Sequence, residues 1–261
     1  MTSDLDGPTG GRLRIHVSRD REEAAKEAER GAVCLLRSLL AAQEGVRAMF
    51  AAAASQAAFL GLLCGEPGIA WSRVETFQLD EYVGLPAGHP AAFGEWLRRR
   101  LFDRARPKAV FSLDPGADHP EVECERYASR LVEAPIDVAF VGIGENGHLA
   151  FNDPGVADFS DPLAVRVVTL DEVSRMQQVH DGAFSRLDDV PTRAMTVTLP
   201  TIMRARRISL LAGGPRKAAA VAAMLEGPVS TACPASGLRR HPDVDVFLDA
   251  DAAAALRRMP R

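Results

Sequence analysis

Apolar and polar positions follow two rhythms along the chain. Short apolar runs recur as LRIHV (13–17), VRAMFAA (46–52), VETFQL (74–79), IDVAFVGIG (136–144), VRVVTL (165–170), AMTVTL (194–199), RRISLLAG (206–213) and VDVFLD (244–249). Runs of this length, rich in β-branched and aromatic residues and bounded by polar or glycine-rich segments, read as buried strands. Between them lie segments with helical spacing: one opening after Ser18, a capping residue followed by Asp20, Glu22 and Glu23, and running to about Gln43; then AAFLGLL (57–63), AAFGEWLRRRLF (91–102), ECERYASRLVE (123–133) and PRKAAAVAAMLEG (215–227). Buried strands alternating with helices predict an α/β fold of Rossmann-like character, a mainly parallel sheet with helices on both faces. In such sheets ligands bind where loops leave the carboxyl ends of the strands.

With 261 residues, the chain has the length for one large α/β domain, and no linker or internal repeat divides it. Residues 1–12 are expected as a flexible tail and 13–261 as a single domain. The polar start MTSDLDGPTGG has no basic segment leading into an apolar core, so no signal peptide is expected. The uncharged stretch AMFAAAASQAAFLGLLCG (48–65) has the length of a membrane helix, but Ser55-Gln56 at its centre and its alanine content predict a buried strand, a tight turn and a buried helix instead.

A formal net charge of -4, from 31 basic and 35 acidic residues, lacks the basic footprint of a nucleic-acid binder. Cys34, Cys64, Cys124 and Cys233 are widely spaced and read as reduced, mostly buried thiols of a cytoplasmic protein. His16, His89, His119, His148, His180 and His241 show no metal-ligand spacing, and there is no G-x-S-x-G nucleophile motif. This spacing gives no metal site to expect.

Three polar clusters fall just after predicted strands. In FAAAASQAAF, small residues let an anion approach the first N–H groups of a helix, with Ser55 and Gln56 as added donors. In TFQLDEYVGLP, the adjacent acids Asp80 and Glu81 point in opposite directions from an extended strand, so one can face a ligand while the other is solvated or paired. Either carboxylate suits general base chemistry. In GIGENGHLAFNDP, Gly142, Gly144 and Gly147 permit unusual backbone, while His148 sits among Glu145, Asn146 and Asp153, the setting of a proton-transferring imidazole. Arg175 and Lys217 also follow predicted strands. Lys217 in a first helical turn opposes the helix dipole, which makes sense beside a bound anion.

Taken together, FQLDEYVGLP, GxGxxGHxAFNxP, an arginine six residues after the threonine of VVTL, GGPRKA and CPASGLRRHP resemble the glucosamine-6-phosphate deaminases, and the likeness runs from roughly Leu13 to Asp249. The resemblance implies an aldose–ketose isomerisation with loss of ammonia, yielding fructose 6-phosphate without a cofactor. It assigns Asp80 as the base that moves the C2 proton to C1. His148 is the ring-opening acid–base, Asp153 its paired acid, and Lys217 and Arg175 hold the 6-phosphate, helped by Ser55 and Gln56. A small-molecule amino-sugar phosphate is the implied partner, and a homo-oligomer is expected because family members often assemble.

Two positions depart from the family's pattern. Asn146 stands where an acid usually precedes Gly-His, with an acid displaced to Glu145, and Asp153 replaces a longer glutamate. A site altered around His148 also suits dehydration of N-acetylglucosamine 6-phosphate, which begins with the same C2 deprotonation. A lactonase of the same fold and a non-catalytic sugar-phosphate sensor are the remaining alternatives. The first is disfavoured by NGHLAFNDP, and the second by the retention of Asp80 and His148.

Overall fold

The computed structural model describes residues 2–6 and 12–257. Its centre is an eight-stranded sheet of β1 (Thr2–Asp6), β2 (Arg12–Ser18), β3 (Val46–Phe50), β4 (Val74–Gln78), β6 (Ala109–Phe111), β7 (Val138–Val141), β10 (Arg207–Ala212) and β11 (Asp243–Asp249), ordered β1-β2-β11-β10-β7-β3-β4-β6. A separate antiparallel sheet joins β5 (Asp80–Tyr82), β9 (Arg193–Val197) and β8 (Val165–Thr169) in the order β5-β9-β8. Apart from β1, the strands of the large sheet are parallel. The helices are α1 (Arg21–Ala42), α2 (Ala57–Leu63), α3 (Phe93–Leu97), α4 (Asp103–Ala105), α5 (Pro120–Val132), α6 (Glu172–His180), α7 (Leu199–Met203), α8 (Ala218–Glu226) and α9 (Ala250–Ala253).

Strand periodicity divides the core between the two faces. Ala48 and Phe50 of β3 point with Val138 and Phe140 of β7 into one apolar layer, while Met49, Ala139 and Val141 point into the other. The Phe50 and Phe140 rings stack at 5.0 Å in the first layer. Burial on both faces explains why β7 is apolar throughout and β3 at every position but Arg47, and why the alternation of a half-exposed sheet is missing from the sequence.

The strand–turn–helix reading of residues 48–65 holds, and no helix among the described residues is long and apolar enough to cross a membrane. Cys64, Cys124 and Cys233 are buried and Cys34 is exposed, all four as free thiols.

Three expectations need correcting. Residues 165–170 and 194–199 are not in the main sheet: β8 and β9 pair antiparallel with each other and with β5, so they form a small sheet across the carboxyl edge of the large one. Periodicity fixes a strand but not its neighbour, and antiparallel partners need no crossover helix. Asp20, rather than Ser18, caps α1 by accepting from the Glu23 N–H, and Ser18 Oγ instead donates to Glu27. Part of the expected tail, Thr2–Asp6, lies antiparallel on β2, covering backbone groups that an edge strand would otherwise expose.

Running from β2 to β11, the chain crosses to β3, fills one side of the sheet through β4 and β6, then returns to β7 and fills the other side. This reversal brings the carboxyl ends of β3, β7 and β10 side by side, a natural crevice for a ligand.

Candidate active site

The loops leaving β3, β4, β7 and β10 meet at this crevice. Asp80, His148, Ser55, Gly144 and Lys217 line one cavity there. A larger neighbouring cavity of about 360 Å³ shares Ser55 and Lys217 and is walled by Arg21, Gly213, Gly214 and Arg216. Five residues expected at a site from four separate motifs therefore do converge.

Asp80 opens β5, directly opposite Thr196 of β9, and its side chain is buried. Among the described residues nothing donates a hydrogen bond to its carboxylate. Burial, followed by the nearby negative charges of Glu81 and Asp153, holds its carboxyl well above the usual range. Such a group gains most by accepting a proton, as a carbon-acid base must.

Glu81 turns the other way, as strand geometry requires. Its carboxylate accepts from the N–H groups of Tyr82 (2.9 Å), Phe93 (3.0 Å) and Gly94 (2.8 Å), and so pins the start of α3. Burial still pushes it up to about 7. Its expected contact with a ligand at the Asp80 cavity is not made.

His148 lies at the base of the crevice because residue 144 has no side chain. A Cβ on Gly144 would fall 2.3 Å from His148 Nε2. The other ring nitrogen is firmly held: Nδ1 is 2.8 Å from Asp153 Oδ1 and 2.7 Å from Ser174 Oγ, and Ser174 Oγ also donates to Asp153. Asn146 ties this group together. Its Nδ2 donates to Asp153 Oδ1 at 3.1 Å and Asp171 Oδ2 at 3.0 Å, while its Oδ1 accepts from the His148 N–H at 3.1 Å. Asp171 in turn caps α6 through the Ser174 N–H. Burial pushes Asp153 up, but the hydrogen bonds from His148, Ser174 and Asn146 outweigh it and keep this carboxyl below its ordinary value. With Nδ1 held by Asp153, Nε2 is the nitrogen available on the cavity side.

Glu145 does not join this network. Its carboxylate lies 2.9 Å from Arg216 Nε and 3.4 Å from His180 Nδ1, at the rim of the larger cavity. Gly147 is a docking point instead of a ligand contact. Its φ is +86°, and a Cβ there would fall 2.7 Å from Cys233 Sγ, so glycine lets the CPASG segment pack against the loop.

At the other end, Lys217 is buried, and its Nζ has no hydrogen-bond partner among the described residues. Burial pulls its pKa down to about 8. A buried cation without a partner at the mouth of a cavity is chemically suited to receive an anion. Gln56 does not take part: it is buried, with Nε2 donating to Leu211 O at 3.1 Å. Arg175 is also diverted, donating to the carbonyls of Leu187 (2.8 Å) and Val190 (3.0 Å). In its place Arg21, at the start of α1, reaches the larger cavity, its guanidinium lying where a Cβ on Gly214 would be. Sequence reasoning missed Arg21, Ser174 and Asp171. Only the aspartate before a helical segment carried a recognisable signal there, that of an N-cap.

The family model described as glucosamine-6-phosphate isomerases/6-phosphogluconolactonase matches residues 19–247. A glucosamine-6-phosphate deaminase of Listeria welshimeri is 42% identical over 185 residues, which cover 71% of this chain and 77% of that one. Its counterpart from Exiguobacterium sibiricum is 40% identical over 184 residues, 70% of this chain and 71% of that one. Among solved structures, a monomeric glucosamine-6-phosphate deaminase superposes with a TM-score of 0.84 at 30% identity, covering 92% of this chain and 99% of that chain. A 6-phosphogluconolactonase from Trypanosoma brucei gives a TM-score of 0.77 at 21% identity over 93% and 98%, a likeness of fold.

Proposed function

The chain belongs to the glucosamine-6-phosphate isomerase/6-phosphogluconolactonase family and is an enzyme of the glucosamine-6-phosphate deaminase class, and from that premise we propose that it converts glucosamine 6-phosphate to fructose 6-phosphate and ammonia. The observation that carries this reading is a single crevice holding an unpartnered buried cation, a buried carboxylate and a fixed imidazole.

In the proposed sequence the 6-phosphate sits against Lys217, with Ser55 and Arg21 around it. His148 Nε2 moves the anomeric proton to the ring oxygen, which opens the pyranose and frees C1 as an aldehyde. Only then is the C2 hydrogen acidic. Asp80 takes it while the C2 ammonium of the substrate gives a proton to O1, leaving an enolamine, and Asp80 then returns its proton to C1. The resulting imine at C2 adds water and releases ammonia. Asp153 and Ser174 hold His148 Nδ1 throughout, so one nitrogen alone exchanges protons.

Purified protein given glucosamine 6-phosphate is expected to release equal amounts of ammonia and fructose 6-phosphate. Asp80→Asn is expected to lower kcat about a thousandfold, the scale of a lost general base. Two results would replace the reading. No ammonia, but an ultraviolet-absorbing product from N-acetylglucosamine 6-phosphate, would make the enzyme a dehydratase. Binding of both sugars with turnover of neither would make it a sensor.

A further inference from the structure

Beside the reaction cavity lies a second chamber of about 450 Å³ that the proposed deamination does not need. The two share Ala52, Ala53, Phe93 and Gln178. The chamber continues past Ala57 to Trp96, whose ring is held under the Arg100 guanidinium at 4.2 Å. Much of its wall is methyl groups and aromatic faces.

Arg100 and Asp181 add charge to the wall, and the remaining polar side chain is that of Gln178. It is 7% exposed and stands where the two spaces meet, and among the described residues its side-chain amide makes no hydrogen bond. Its neighbour Gln177 differs, accepting from the Glu145 N–H at 2.9 Å. The Gln178 amide atoms open onto that space, where a ligand can meet them. Having both a donor and an acceptor, this carboxamide matches another amide.

We propose that this chamber is the subsite for an acyl group on the substrate's C2 nitrogen, with Gln178 hydrogen-bonded to the acyl amide. The ligand class then includes 2-acylamino-2-deoxyhexose 6-phosphates, bound in the same crevice as the free amine. The assignment rests on the reading above, which places C2 over Asp80, because any C2 substituent then starts in the cavity that opens into the chamber. Alanines and an aromatic wall suit the acyl carbon chain. The volume exceeds what an acetyl group fills, so a butanoyl group is accepted as well.

Calorimetry with the full chain and three probes tests this: N-acetylglucosamine 6-phosphate, glucosamine 6-phosphate and glucose 6-phosphate. The N-acetyl sugar is expected to bind about tenfold more tightly than glucose 6-phosphate, the scale of one buried hydrogen bond plus apolar contact. Gln178→Leu is expected to remove most of that preference. Ala57→Leu, which narrows the chamber away from Asp80 and His148, is expected to reduce it independently. Of the two tryptophans, Trp96 alone lines the chamber, so emission should change with the N-acetyl sugar and remain unchanged in Trp96→Phe.

Equal affinities for the N-acetyl sugar and glucose 6-phosphate would overturn the proposal, as would a preference unmoved by both Gln178→Leu and Ala57→Leu. If the protein releases ammonia from glucosamine 6-phosphate in that case, only the acyl subsite falls. If none of the three sugars binds, the deaminase reading falls with it.

Discussion

The two ends of the crevice are built on opposite principles. At the His148 end the polar side chains are already answered from within: Asp153 receives His148, Ser174 and Asn146, and Asn146 also reaches Asp171. At the Lys217 end a buried ammonium waits without a partner. One end must be rigid before substrate arrives, since proton transfer needs fixed geometry. The other completes its charge balance only when an anion arrives, so that binding energy is released there. The difference should be measurable, because changes at the open end act through affinity and folding stability, and changes at the closed end through turnover.

Among changes that set the two ends against each other, removing Lys217 should produce the largest effect. With Lys217→Met, kcat/KM for a sugar phosphate is expected to fall about a hundredfold through KM, the cost of losing a buried charged hydrogen bond. Stability should move the other way. The folded pKa, about 8, lies below the ordinary 10.5, so folding works against the charged form. That penalty, about 3 kcal/mol, is fully present below the folded pKa and fades as pH rises from about 8 to 10.5. Lys217→Met should therefore unfold at a higher denaturant concentration than the parent at neutral pH, and the advantage should vanish in alkali. For the parent, KM should rise as pH passes about 8, where free Lys217 loses its charge. A destabilised Lys217→Met protein would show that the ammonium is already satisfied and that the contrast between the ends is false.

Asn146 probes the closed end. Asn146→Asp would set a third carboxylate between Asp153 and Asp171 and remove both amide donors. We expect kcat to fall about tenfold with little change in KM, since the proton-transfer group is held less well. Like charges raise an acid's pKa, and the protonated acid can restore one hydrogen bond. The deficit should therefore shrink as pH falls. Asn146→Ala, which cannot regain a donor, should show a deficit of similar size without that recovery. An Asn146→Asp protein as fast as the parent across the pH range would mean that this network does not depend on the amide.

The sequence disclosed these ends unequally. Asp80, His148 and Lys217 each follow an apolar strand, and parallel sheets put such positions at one edge, so their meeting was legible. The fates of Glu81, Gln56, Glu145 and Arg175 were not, because each depends on where a loop turns one side chain. Glu81 found two backbone N–H groups on a segment more than ten residues away, and Glu145 found Arg216 on a different loop. The fold shows the same limit. The strands at 165–170 and 194–199 were readable, but their antiparallel pairing outside the main sheet is a long-range choice that local periodicity does not encode.

The smallest expected effect concerns which arginine attends the phosphate. Arg21 lines the cavity at the Lys217 end, whereas Arg175 donates to the Leu187 and Val190 carbonyls. Arg21 is largely exposed and already near Asp249, with Nε 3.6 Å from a carboxylate oxygen, so solvent and that acid both weaken its hold on an anion. Arg21→Ala should raise KM about fivefold at low salt and less at high salt, with kcat unchanged. Arg175→Ala should instead loosen the segment after α6, lowering the unfolding midpoint while leaving the salt dependence of KM as in the parent. If Arg175→Ala raises KM more than Arg21→Ala does, the α6 arginine swings into the crevice when the phosphate binds. The open end would then be completed by a moving group as well as by an incoming anion.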